Sequence, residues 1–200
     1  VLSLSEELFQ MGEDGFNLLQ RLFQLVFSNL DNIHTLLSSV PPLLRALTAI
    51  IKVISLINLE GSRDFVMSLM GMCNAYVKNL EYFVNEDFYA ANFIAEALMK
   101  AFVVIIETFP TETDFISENV KPMFIQVPIV VWDHKMLTHE TVESFLMLML
   151  DLIKTVGRQT NVELNKDKLK HFLSFAKSEN SPFRDLTPMA ETIWKFYGDI

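Results

Sequence analysis

The sequence predicts an all-α fold, a right-handed superhelical stack of about four helical hairpins, and three observations carry the prediction. Apolar residues recur at threes and fours in nearly every segment between turn signals, the spacing of a helix face. The candidate helix starts themselves repeat. First members of successive pairs begin near Asp14, Ser62, Thr111 and Asn161, spaced 48, 49 and 50 residues apart, and second members at Pro41, Asp87, Thr138 and Thr187, spaced 46, 51 and 49 apart. The one β-like run, 129–132, has no second strand to pair with, and an isolated strand of that length is not stable. Paired helices at a near-constant period bury their apolar faces on one another. The hairpins fall at about 14–60, 61–110, 111–157 and 158–200 of a single repeat domain.

In chain order, Ser3 and Glu6 make a Ser-x-x-Glu capping box that opens a short helix, with Gly12 as its stop. Asp14 or Gly15 starts the next, whose apolar face is Phe16, Leu19, Leu22, Phe23, Val26, Phe27 and Leu30; residues 31–40 continue it or form a separate turn. Pro41 and Pro42 end that segment and can sit in the first turn of a helix over 42–59, where a missing N–H costs nothing. That helix is expected to bury Leu43, Leu44, Leu47, Ile50, Ile51, Ile54 and Ile57, and Gly61 follows as its C′ residue. Ser62 caps a helix carrying Phe65, Val66, Leu69, Met70, Cys73, Tyr76, Val77 and Leu80. Asn85, Glu86 and Asp87 punctuate, with Asp87 as the next cap.

Residues 87–109, DFYAANFIAEALMKAFVVIIETF, are the centre of the chain. Phe88, Phe93, Ile94, Ala97, Leu98, Ala101, Phe102, Val104, Ile105, Ile106 and Phe109 cover most of the circumference. The polar residues fall on a narrow stripe, Asn92, Glu96 and Lys100 at steps of four and then Glu107, with Glu96 placed to pair with Lys100. A helix wet on one thin strip is covered elsewhere by neighbours. Pro110 closes it. Thr111 or Thr113 caps a helix that Pro122 and Pro128 make irregular. Thr138 starts a strongly periodic helix through Val142, Phe145, Leu146, Leu148, Met149, Leu152, Ile153 and Val156, ended by Gly157. Asn165 caps 166–177, and Thr187 is read as the N-cap before Pro188 in a last helix with Ile193, Trp194 and Tyr197.

Half of the 200 residues are apolar, enough for a substantial core. No uninterrupted apolar run reaches the length of a spanning helix, so no membrane is expected. A lone cysteine, Cys73, excludes an intrachain disulfide and is compatible with a reducing, intracellular compartment. Because Val1 follows no leader, the chain is expected to be a piece of a longer one. The net charge of −9 is uneven: residues 1–150 carry 8 basic against 18 acidic side chains, and 151–200 carry 8 against 7. Such a surface repels phosphate backbones and attracts basic partners, which disfavours nucleic acid as a direct ligand outside a local patch at Lys166, Lys168 and Lys170.

Chemistry-bearing patterns are weak. His34, His134, His139 and His171 are scattered, and His134 and His139 with Glu140 or Glu143 lack the spacing of a zinc site, so no metal or cofactor is expected. Cys73 lies on an apolar stripe and reads as a buried, inert thiol; no GxSxG elbow or phosphate-cradling glycine loop exists. Glu81, Glu86 and Asp87 read as a solvated turn. Met67, Met70, Met72, Met147 and Met149 read as core filling, with an adaptable binding surface as the alternative.

The ~50-residue helical hairpin resembles HEAT/armadillo-type repeats. The segment HFLSFAKSENSPFRDLTPMAETIWKFY is similar to helix-loop-helix units of the importin-β and exportin (karyopherin) family, although the Asp and Lys or Arg that many HEAT units repeat in register are not repeated here. Symplekin-like, TOG-like and MIF4G-like scaffolds share the pattern. The resemblance implies a non-catalytic protein-interaction scaffold of the α-solenoid type, with nuclear transport as its specific form. Its partner would be a basic protein or an amphipathic helix held in a groove of second helices. The residues expected to be exposed there are Asn92, Glu96, Lys100, Glu107, Glu140 and Glu143. The alternatives are a helical binding domain for a small apolar molecule and, behind it, a helical enzyme.

Overall fold

The computed structural model describes residues 37–57, 62–109, 138–156 and 180–197, with isolated positions at 14–21, 114–130 and 174–178. Five α-helices stand out among the described residues, and no strand is among them. They are α1 (Val40–Ile57), α2 (Ser62–Glu86), α3 (Phe88–Thr108), α4 (His139–Val156) and α5 (Thr187–Tyr197). Short 3-10 turns, Leu37–Ser39 and Arg184–Leu186, lead into α1 and α5. The expected helices over 3–12, 111–125 and 166–177 lie wholly or mostly outside the described residues, as do His34, His134 and His171.

Local chemistry sets the helix ends. Pro41 and Pro42 both sit in the first turn of α1, where the backbone N–H groups have no intrahelical acceptor to lose. Only Asp87 separates α2 from α3. Its N–H still donates to the Phe83 carbonyl at 2.8 Å, while its own carboxylate accepts from the Ala90 N–H at 3.0 Å in extended backbone. One residue thus ends one helix and caps the next. Thr138 caps α4 in the same way, its Oγ1 accepting from the Thr141 N–H at 3.2 Å. Thr187 departs from its expected role: its backbone is helical, it continues directly from the 3-10 turn, and Pro188 is the second residue of α5. Ser62 likewise belongs to α2 rather than preceding it.

Packing radiates from α3, which lies against α1, α2 and α4; α4 in turn meets α5. Ala91, Ile94, Leu98, Ala101, Phe102 and Ile105 of α3 are fully buried. Leu44 and Ile51 come in from α1, Leu69, Met72, Tyr76, Leu80 and Phe83 from α2, and Leu146, Leu148 and Met149 from α4. The alanines let neighbouring backbones approach closely, and the large residues fill the space between them. By length and composition α3 could cross a membrane, a property that run-counting over the sequence did not show, but 83% of the qualifying window is buried inside the bundle. Protein surrounds it on the sides where lipid would be needed.

Two aromatic side chains assigned to the buried circumference of α3 face outward instead. Phe88 is 40% exposed and Phe93 51%. Of the methionines at 67, 70, 72, 147 and 149, Met70, Met72 and Met149 are core, whereas Met67 and Met147 are exposed.

Candidate interaction surface

The helices α1, α3, α4 and α5 begin at Val40, Phe88, His139 and Thr187, and they pack as neighbours in that order. Polar contacts cross each junction. Between α1 and α3, the Glu96 carboxylate accepts from Lys100 Nζ at 2.6 Å and faces Arg45 Nη2 at 3.6 Å. Between α3 and α4, the Thr141 hydroxyl donates to Asn92 Oδ1 at 2.9 Å. Between α4 and the turn before α5, His139 Nε2 lies 2.7 Å from Asp185 Oδ2, and the His139 ring is 6.4 Å from that of Phe183. Every bridging residue except Lys100 lies in the N-terminal half of its helix or just before it. Neighbouring helices of this set therefore meet through their N-terminal halves.

Two of the six expected surface residues are interior. Asn92 and Glu96 are 6% and 5% exposed, and their polar groups are consumed by Thr141, Lys100 and Arg45. The reason is helical geometry. At 3.6 residues per turn each step of four advances about 40° beyond a full turn, so Asn92 lies about 80° around the helix from Lys100. Lys100 reaches water, while Asn92 has rotated under α4. The stripe that does face out is Tyr89, Phe93, Lys100 and Glu107, confined to about 40° of the circumference. Tyr89 is 78% exposed. Stepping back from Lys100 by seven reaches Phe93, and a further four reaches Tyr89; polarity pointed to Asn92 and geometry to the aromatic pair.

Glu140 is exposed and Glu143 half-buried in the first turns of α4, where acids favour the helix start. Met147 and Lys154 continue the α4 ridge from Glu140 at steps of seven. The hydrogen bond to Asp185 raises the His139 imidazole above its ordinary value of 6.5, with the charges of Asp185, Glu143 and Glu140 adding to it and desolvation opposing. The same hydrogen bond holds the Asp185 carboxyl below its ordinary value. Family models, curated proteins and solved structures were each compared with this chain, and none matches.

Chemistry at depth is muted. Cys73 is fully buried, and desolvation pushes its thiol up to about 12, so the nucleophilic thiolate is suppressed at neutral pH. Tyr76 beside it is pushed to about 12, chiefly by burial and then by Cys73. Among the described residues no three His, Cys, Asp or Glu side chains are grouped to hold a metal ion.

Proposed function

We propose that this chain is a segment of an α-solenoid protein-interaction scaffold, with the outward ridges of α1, α3, α4 and α5 forming a shared surface for a basic partner or an amphipathic helix. The observation that carries this reading is the succession of four helices that pack as neighbours in chain order, with starts 48, 51 and 48 residues apart. Repetition of one packing step generates an extended surface rather than a closed pocket. The ridges combine exposed apolar groups (Tyr89, Phe93, Met147) with charged ones (Lys100, Glu107, Glu140, Glu143, Lys154), the mixture on which a folded partner can bury area while charges fix its register. A segment of a nuclear transport receptor, working in cytoplasm and nucleus, is the specific form of the proposal.

The test is affinity purification with the unaltered chain and with a variant in which Lys100, Glu107, Glu140 and Glu143 are replaced by alanine. Loss of partners from the variant is expected; retention of every partner would sink the ridge assignment. Native mass spectrometry on the purified chain is the companion measurement, because a retained lipid or steroid would support a ligand-binding domain instead.

A further inference from the structure

We infer that the corner between α2 and α3 is a docking site for an arginine-bearing segment of a partner protein. This rests on the scaffold reading; the corner shares Tyr89 with the α3 ridge, while Glu81 and Glu86 of α2 lie outside the ridges. Residues 85–89 are all exposed, and the corner presents three aromatic rings: Tyr82 at 47%, Phe88 at 40% and Tyr89 at 78% exposure. The Phe88 and Tyr89 rings meet edge-to-face at 6.0 Å, and Tyr89 is still the most exposed of the three. Phe88 and Tyr89 together make an exposed aromatic pair at the turn, and contiguous exposed apolar surface marks an interaction site more than scattered residues do.

The charge around them specifies what covers them. Glu81 and Glu86 flank Tyr82 on α2, and neither carboxylate is in an ion pair among the described residues. Glu86 occupies the last turn of α2, which holds no basic residue, although a helix C-terminus favours cations and disfavours acids. Asp87 is committed to capping α3, and Lys78, two turns back from Glu86, is the only nearby base on this helix. A cation arriving at Glu86 would relieve the clash with the helix end. A planar guanidinium suits the corner better than an ammonium, because it can pair with the carboxylate through two N–H groups while its face stacks on tyrosine.

The test is fluorescence anisotropy with a labelled Gly-Ser peptide carrying several arginines, and with its lysine and citrulline counterparts. Arginine should bind about threefold or more tightly than lysine, and citrulline should not bind. Tyr89→Ala and Glu86→Gln should each weaken the arginine peptide about three- to tenfold, with unchanged far-UV circular dichroism, while Lys154→Ala leaves it unaltered. No saturable binding, equal affinity for arginine and lysine, or indifference to both corner variants would overturn the inference. Self-association lost in Tyr89→Ala would also overturn it, by making a second copy the occupant. Partners lost from the ridge variant but kept by Glu86→Gln would leave the scaffold reading standing and the corner without a role.

Discussion

Helices α2 and α3 are two arms of one hairpin, joined by a single residue, yet they are built differently. The 25 residues of α2 alternate between buried positions such as Leu69, Cys73, Tyr76 and Leu80 and exposed ones such as Met67, Gly71, Lys78 and Glu81. The 21 residues of α3 are buried almost without interruption from Ala90 to Ile106, relieved only by Phe93 and Lys100. The difference follows from neighbours: α3 is flanked by α1 and α4 as well as by α2. A helix in the middle of a row has two partners along the row and one behind, so its sequence loses amphipathicity and its few polar groups must be satisfied by protein.

The contrast is easiest to break at Phe102, which is fully buried in α3. Phe102→Ala should cost about 3–5 kcal/mol in chemical denaturation, whereas Met67→Ala on the exposed side of α2 should stay within about 0.5 kcal/mol. Equal effects would mean that α3 is no more interior than α2. The next test concerns the buried carboxylate. Lys100→Met removes the 2.6 Å partner of Glu96 and leaves it only Arg45, so a loss of about 1–2 kcal/mol is expected. Arg45→Met removes a longer and more exposed contact, and its cost should be under about 1 kcal/mol.

Gly71 offers a change of opposite sign. It is an exposed position inside α2, and an added Cβ would meet nothing within 4 Å. Gly71→Ala should raise stability by about 0.8–1 kcal/mol, read as a higher Tm, through the better helix propensity of alanine. A fall in Tm would show that this face is covered. Cys73 probes the buried side of the same helix: its thiol should resist a maleimide at pH 8 in the native chain and react on unfolding.

The smallest expected effect lies at the outer junction, where α4 meets the turn before α5 through the exposed His139–Asp185 contact. The folded imidazole is raised above 6.5, so its stabilising contribution is complete below that pH and disappears as pH rises through the folded value. Asp185, lowered below its ordinary 3.8, contributes above that value and loses its contribution as pH falls through the folded one. The Tm advantage of the unaltered chain over Asp185→Asn should therefore be larger at pH 6 than at pH 8.5. An NMR titration should place His139 above 6.5 in the unaltered chain and lower it in the variant.

Much of this was legible from residue patterns. Asp87 as a shared stop and cap, Thr138 as the cap of α4, and the described part of the buried faces (Leu44, Leu47 and Ile51 of α1, Leu69, Cys73 and Leu80 of α2, Val142, Leu146 and Leu152 of α4) follow from short-range rules, because a cap needs only its own helix and a core face needs only a period. The pairing of Glu96 with Lys100 was equally local. The outward stripe was misread because polarity was used as a guide to exposure, and a polar group can be buried when a neighbour supplies its partner, as Thr141 does for Asn92. The His139–Asp185 contact, 46 residues apart in the chain, had no signal in either local segment.

By itself, the sequence of this protein determined the five described helices, the caps at Asp87 and Thr138 and the near-constant spacing of the starts of α1, α3, α4 and α5, since these depend on interactions within a few residues. The packing of α1, α3, α4 and α5 as successive neighbours, the rotation of Asn92 and Glu96 into the junctions and the exposure of Phe88 and Tyr89 were decided by the tertiary structure. Exposure is a property of what a neighbour covers, and neighbours distant in the chain are chosen only when the helices pack.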